Sequence, residues 1–327
     1  MARVLHVGPC DSPGGMATVM QTLASHPPIG WEAELLASHV VGSPWAKWRT
    51  YRRARKELIR RCRSTSERPE VVHIHTAADW SWWRKSRMIR FCQQASIPVI
   101  VHIHSGKFAR WVGTKHSRRS KSIAALLSHP QTQGVSLNET WRETFRAIIG
   151  ETLAINNPID PRIQLFEGQR EENHLLIMGR ADPTKGHAFA QELGIHLKQG
   201  LPNLKLTLTG EDHADEPWIH AEGWVSHERR QHLMETCSLL LVPSAFEGQP
   251  LVMLEALAFG LPVCVSDQIQ DIPSTVRSAR YEDLEDWSQQ VLNVLKSPPS
   301  SEELYEASLP FLIENVQGKW KEVYESF

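Results

Sequence analysis

Pro243-Ser-Ala-Phe-Glu-Gly-Gln-Pro-Leu-Val-Met-Leu-Glu-Ala-Leu-Ala-Phe-Gly-Leu-Pro-Val-Cys-Val-Ser-Asp267 is the stretch that decides the reading of this 327-residue chain. Just upstream, Leu239 to Val242 is a short apolar run bounded by turn residues, the pattern of a buried parallel strand. Glu247-Gly248-Gln249-Pro250 breaks that run, and Pro250 suits the first turn of a helix. Leu251 to Phe259 are helix formers, stopped by Gly260 and Pro262, and Val263 to Val265 begin the next strand. Strand, turn, helix, strand predicts an α/β crossover. Glu247 precedes the helix and Glu255 lies inside it, with seven residues between them. On one regular helix that separation spans about two turns. A loop carboxylate and a helix carboxylate can still face one ligand lying along the helix N-terminus. Backbone N–H groups around Gln249 to Leu251 would meet an anion there, and phosphate is the usual one.

The length suggests two domains, each large enough for its own core. Charge divides the chain in the same way. Residues 1–157 hold 23 Lys and Arg against 10 Asp and Glu, whereas residues 158–327 hold 13 against 27. A surplus of 13 positive charges followed by one of 14 negative charges places a boundary near Asn157-Pro158 and points to a surface-binding role for the basic half. No apolar run approaches the ~20 residues of a membrane span, and the start of the chain reads as a first strand rather than a signal peptide. Cys10, Cys62, Cys92, Cys237 and Cys264 are scattered and odd in number, which predicts reduced thiols in a cytoplasmic protein.

In the first half, Arg3 to Gly8 reads as a strand, Pro9 to Gly15 as a glycine-containing turn, and Met16 to Ala24 as a helix. The spacing is neither GxGxxG nor a P-loop, so Gly14-Gly15 serves either a tight turn or a close backbone approach to a ligand. Pro44 to Arg63 reads as a basic amphipathic helix, with nine Lys or Arg between Lys47 and Arg63 against the single acid Glu57. Trp45, Trp48, Tyr51, Leu58 and Ile59 add apolar positions, and the pattern predicts contact with an anionic membrane surface through residues 45–63. No recognition module accompanies the charge, so nucleic acid is not expected. Val71 to His75 and Ile97 to Gly106 read as strands, the second ending in His104 and Gly106, with a tryptophan-rich loop over 76–83 and a helix from Arg84 to Gln94. Their His-x-His pairs fall on different strands with no carboxylate or cysteine spaced to complete a site, so no metal is expected. His104, at the mouth of the sheet, is the candidate for ligand contact, and His102 is expected on the sheet's other face. Lys107 to Lys121 is again basic.

In the second half, Asn173 to Gly179 reads as a strand, followed by Arg180-Ala-Asp-Pro-Thr-Lys185-Gly186 and a helix from about His187. Two cations before a helix start suit a diphosphate, Arg as a fork and Lys as a point charge. Leu204 to Gly210 is the next strand and Glu211 to Glu216 an acidic loop.

The Glu-x7-Glu stretch, with Pro-Ser before it and Glu-Ala-Leu-Ala-x-Gly-x-Pro-Val around Glu255, resembles the signature of retaining glycosyltransferases of family GT4, glycosyl transferases group 1. Gly179-Arg180-x4-Lys185-Gly186 resembles that family's diphosphate motif, and Gly318-Lys-Trp320-x3-Tyr324 its terminal helix. Asn157-Pro158 departs mildly from the family's usual Asn-Gly before the second domain. The resemblance covers the whole chain in order, specific in the second domain and loose in the first.

The resemblance implies a GT-B fold, two Rossmann-like domains facing each other across a cleft: 1–157 on the acceptor side, 158–310 for the nucleotide sugar, and 311–327 as a helix returning to the first domain. It implies transfer of a hexose, with retention, from a UDP or GDP sugar to an acceptor hydroxyl, and the basic, tryptophan-bearing first half points to a lipid-linked or cell-surface glycan precursor as that acceptor. The protein would work in the cytoplasm, peripheral on the inner membrane face, in polysaccharide assembly. His104, Glu247, Arg180 and Lys185 would carry catalysis. Gly14, Gly15, Arg180, Lys185, Glu247, Gly248, Gln249, Pro250, Leu251 and Glu255 would bind the donor, with Glu247 on the sugar and Glu255 on the ribose. Asp79, Trp80 and Lys107 would lie on the acceptor side. No cofactor or metal is expected, in keeping with the absence of a DxD motif. Two other readings are a catalytically degenerate GT-B protein acting as a binding partner, and a GT-B nucleotide-sugar epimerase.

Overall fold

The computed structural model describes residues 1–214 and 216–327, so Asp215 of the acidic loop lies outside the described residues. The chain separates into two compact units, Met1–Asp160 with Phe311–Phe327, and Pro161–Pro310.

The first unit alternates strand and helix: β1 (Ala2–Gly8), α1 (Gly15–Ser25), β2 (Trp31–Ala37), α2 (Pro44–Arg63), β3 (Val71–Thr76), α3 (Trp80–Gln94), β4 (Val99–Ile103), α4 (Phe108–Val112), α5 (Arg118–Leu127), β5 (Thr132–Ser136), α6 (Glu139–Ile148) and β6 (Leu153–Ala154). Its strands form one parallel sheet in the order β2-β1-β3-β4-β5-β6. Parallel strands bury both faces, but the two faces here differ in chemistry. Leu5, Val7, Val72, Ile74, Val99, Val101 and Ile103 share an aliphatic core with Tyr51, Leu58, Met88 and Phe145. The opposite face carries His6, His73, His75 and His102, all fully buried.

The second unit follows the same plan: β7 (His174–Ile177), α7 (His187–Lys198), β8 (Lys205–Leu208), β9 (Ile219–Ala221), α8 (His227–Thr236), β10 (Leu239–Val242), α9 (Leu251–Ala258), β11 (Val263–Ser266), β12 (Arg277–Ala279), α10 (Leu284–Lys296) and α11 (Ser301–Ser308). The parallel order is β12-β11-β10-β7-β8-β9. Leu175, Ile177, Leu206, Leu208, Leu239 and Leu241 pack with Phe189 and Leu193 of α7 and Trp287 and Val291 of α10. Each such side chain contributes about 1.5–3 kcal/mol on burial.

The last helix, α12 (Ile313–Glu325), returns to the first unit. There Gln317 donates to the carbonyls of His26 and Pro27, and Trp320 and Tyr324 lie against the histidine face.

Two readings of the first half are corrected. The tryptophan-rich segment is not a loop, because α3 begins at Trp80. Asp79 stands at the N-cap position, but with φ 58° it makes no side-chain cap. His102 does not face away from His104. Both lie on one face, two residues apart, with ring centroids 4.0 Å apart.

Candidate functional site

In an open parallel sheet, ligands bind beyond the carboxyl ends of strands where the strand order reverses. In the second unit the reversal falls between β7 and β10, since β8 and β9 extend one way and β11 and β12 the other. The two loops leaving those strands are 178–186 and 243–250, which hold the residues predicted to grip the donor. Topology therefore brings together what the sequence keeps about sixty residues apart.

Local chemistry fixes both loops. Asp182 Oδ1 accepts from the Thr184 amide at 2.9 Å and from its hydroxyl at 2.7 Å, winding Pro183–Lys185 into a single 3₁₀ turn. Gly186 follows at φ 78°, and a Cβ there would come within 2.7 Å of the Pro243 carbonyl oxygen. The site needs glycine for its left-handed backbone and for this approach. The Ala245 amide donates to the Thr184 carbonyl at 2.9 Å, which ties one loop to the other. In consequence Lys185 Nζ meets Glu247 Oε1 directly in a half-buried ion pair.

Pro250 stands as N-cap of α9, whose amides begin at Leu251, and Gly248, Gln249 and Pro250 are buried beneath. Glu255, on α9, is 2 % exposed. The Arg230 guanidinium of α8 donates to its Oε2, which compensates a carboxylate that would otherwise be buried alone. Arg230 was not legible in the sequence, because its partner lies 25 residues away on another helix. Arg180 is exposed beside the buried end of β7.

In the first unit the strand order reverses between β1 and β3. The loop after β1 leads to Gly14, the N-cap of α1 at φ 132°, and Gly15, its first residue. The loop after β3 leads to Asp79 and to Trp80, which is 70 % exposed and edge-on to Trp83. His104 follows β4, its amide donating to the Thr76 carbonyl at 2.9 Å, and its ring is half-buried at the sheet's rim. Lys107 is exposed one residue before α4.

Behind His104 the imidazoles form two hydrogen-bonded rows. His6 Nδ1 lies 3.0 Å from His75 Nε2, and His75 Nδ1 lies 2.9 Å from His104 Nε2. In the second row the Tyr324 hydroxyl lies 3.1 Å from His73 Nδ1, and His73 Nε2 lies 3.2 Å from His102 Nδ1. Burial holds all five imidazoles well below their ordinary pKa, with His6 and His104 at about 3. The rows end on buried nitrogens that have no partner, His6 Nε2 and His102 Nε2. Leaving such a group unpaired costs about 1–3 kcal/mol.

The aromatic positions of α2 divide. Tyr51, Ala54, Leu58 and Cys62 form its buried seam, whereas Trp45 and Trp48 are 61 % and 42 % exposed and stack 4.7 Å apart. Arg52 lies over the Trp48 ring, and Arg49, Arg53, Lys56 and Arg60 line the same groove.

The family described as glycosyl transferases group 1 matches residues 172–297, the stretch from β7 to α10 that carries both loops. The match lies within the second unit and covers less than half of the chain. The glycogen synthase of Mycobacterium tuberculosis is 27 % identical over 225 residues, covering 62 % of this chain and 53 % of its own length. The chain thus spans about half the length of this curated relative. Among solved structures, sucrose-phosphate synthase from Thermosynechococcus elongatus superposes with a TM-score of 0.74 at 15 % identity, covering 100 % of this chain and 99 % of its own. The catalytic domain of starch synthase IV from Arabidopsis thaliana, bound to ADP and acarbose, gives 0.68 at 11 %, covering 99 % of each chain. The fold is the α/β GT-B fold of these glycosyltransferases.

Proposed function

We propose that the protein transfers a hexose from a nucleotide-diphosphate sugar to an acceptor hydroxyl, with retention of configuration. The observation that carries this reading is the Lys185–Glu247 pair at the reversal point of the second unit's sheet, beside the N-terminus of α9. A departing nucleoside diphosphate gains negative charge, and Arg180, Lys185 and the α9 amides are the groups that would stabilise it. These are fixed positive groups of the chain, so no step is assigned to a metal or cofactor. Glu247 orients both Lys185 and the sugar. Glu255 takes the ribose hydroxyls through Oε1, since Arg230 engages Oε2. His104 and the Gly14–Gly15 turn are kept as donor-contact candidates on the strength of the resemblance alone. No side chain is assigned as a nucleophile, and the leaving phosphate accepts the acceptor's proton on the front face.

The test begins with a thermal-shift panel of UDP, GDP and ADP, because a ligand at 100 times its Kd stabilises by about 2.7 kcal/mol. Turnover of the matching sugar nucleotides follows. Lys185→Ala and Glu247→Ala are expected to lower kcat about 10²- to 10³-fold. If no nucleotide shifts the transition, or if both variants turn over like the parent, the reading fails. Binding without turnover would leave a degenerate partner protein, and release of free nucleotide without glycosylated product an epimerase.

We further propose that the acceptor is lipid-linked and met at an anionic membrane face, with Asp79, Trp80 and Lys107 on the acceptor side. The exposed Trp45–Trp48 stack amid the basic residues of α2 supports this. No helix among the described residues is long and apolar enough to cross a membrane.

A further inference from the structure

We propose that the buried histidine face of the first unit holds one divalent transition-metal cation on His75, His102 and His104. One ring nitrogen of each of these three residues lies within 4.8 Å of one from each of the others. Parallel pairing produces this arrangement, because His75 of β3 stands in register with His102 of β4, and His104 follows two residues on along the same face. A tetrahedral zinc with Zn–N bonds of about 2.05 Å sets its ligand nitrogens about 3.3 Å apart. The His75 Nδ1 to His104 Nε2 separation of 2.9 Å is already close to that spacing.

The surrounding residues are arranged as ligand imidazoles require. A metal-bound histidine usually gives its other nitrogen to a hydrogen-bond partner, which fixes the ring. His75 Nε2 is engaged by His6 Nδ1, and His102 Nδ1 by His73 Nε2, which is in turn backed by the Tyr324 hydroxyl. His102 Nε2 is left fully buried and without a partner, as is His6 Nε2 in the inner group, and a neutral hydrogen-bonded row accounts for neither. Imidazole nitrogens suit zinc, copper, nickel and cobalt, not magnesium or calcium. The half-buried rim at His104 gives the cation a way in and leaves a fourth position open to water. A second group, His6, His73 and His75, is enclosed on all sides. It therefore reads as the supporting layer.

The test uses tag-free protein stripped with chelator, titrated with Zn2+ alone in a calorimeter and with Co2+ alone by visible absorption. The parent is expected to bind one equivalent of Zn2+ and to develop the d–d bands of four-coordinate Co2+. The surface variant His116→Gln should bind in the same way. His102→Gln and His104→Gln should weaken Zn2+ binding at least about 100-fold, and His73→Gln, in the supporting layer, about 10- to 100-fold. Because His104 sits at the rim, its variant decides the matter even if His102→Gln fails to fold, as judged by circular dichroism. Three results overturn the proposal: no binding by the parent, unchanged binding in His104→Gln, or a loss on His6→Gln while His104→Gln binds in full. The last would move the cation to the inner group.

Discussion

Lys85 is a buried ammonium with no carboxylate among its hydrogen-bond partners. It lies on α3, 2 % exposed, with Nζ donating to the Val7 carbonyl at 3.0 Å and to the Ser38 hydroxyl. Burial, reinforced by Arg84, pushes its ammonium down to about 7 from an unfolded value near 10.5. The folded state therefore binds fewer protons than the unfolded chain between those two pH values, and stability rises with pH across that window. Below about pH 7 both states are protonated and the penalty is constant. Above about pH 8.5 the buried thiols Cys10, Cys237 and Cys264, pushed up to about 11, 12 and 12, work in the opposite sense. Between pH 7 and 8.5 the buried imidazoles add a smaller rise of the same sign, which Lys85→Met retains, so the comparison of the two proteins isolates the lysine. There the Lys85 contribution should grow by about 1.5 kcal/mol, and Lys85→Met should lack that slope. Urea denaturation of both proteins at the two pH values measures it. Parallel curves would show that the lysine stays charged in the fold.

At the scale of elements, α2 was legible to its ends because every signal agreed. Ser43 caps the Ala46 amide, Pro44 takes the first position, and an apolar seam repeats at Tyr51, Ala54, Leu58 and Cys62. The sequence could not say which aromatics join that seam, and the fold leaves Trp45 and Trp48 outside it. An anionic bilayer would add about 1 kcal/mol per basic residue near the surface, screened by salt. Trp45→Ala/Trp48→Ala and Arg52→Glu/Arg53→Glu should each reduce flotation with phosphatidylserine vesicles at low salt. Equal flotation of these variants and the parent would remove α2 as the contact. The loops around α9 were legible for a similar reason, since Pro250 and Gly260 punctuate them. The start of α3 was not, because Trp80-Ser-Trp-Trp after Asp79 is a run of middling helix formers. The histidine rows were invisible because strand register, not spacing along the chain, sets His75 against His102. The same holds for Arg230 against Glu255.

At the scale of the whole molecule, the first unit is built from two distant parts of the chain. Residues 161–310, which make up the second unit, separate its last helix from the rest of it along the chain. α12 closes over the histidine face: Trp320, fully buried, packs 4.6 Å from the His73 ring and 5.2 Å from the His102 ring. Tyr324 adds its hydroxyl to His73 Nδ1 and its ring to Trp31. Removing a buried tryptophan costs about 3–5 kcal/mol, a large share of one domain's stability. Trp320→Ala should therefore lower the unfolding midpoint of the first unit while the second unit keeps its own. Two transitions should separate in a urea titration followed by hydrogen exchange, with amides of β1, β3 and β4 losing protection and those of β7, β10 and β11 retaining it. If both sets lose protection together, the two units unfold as one, and the returning helix stabilises the whole chain rather than the sheet it covers.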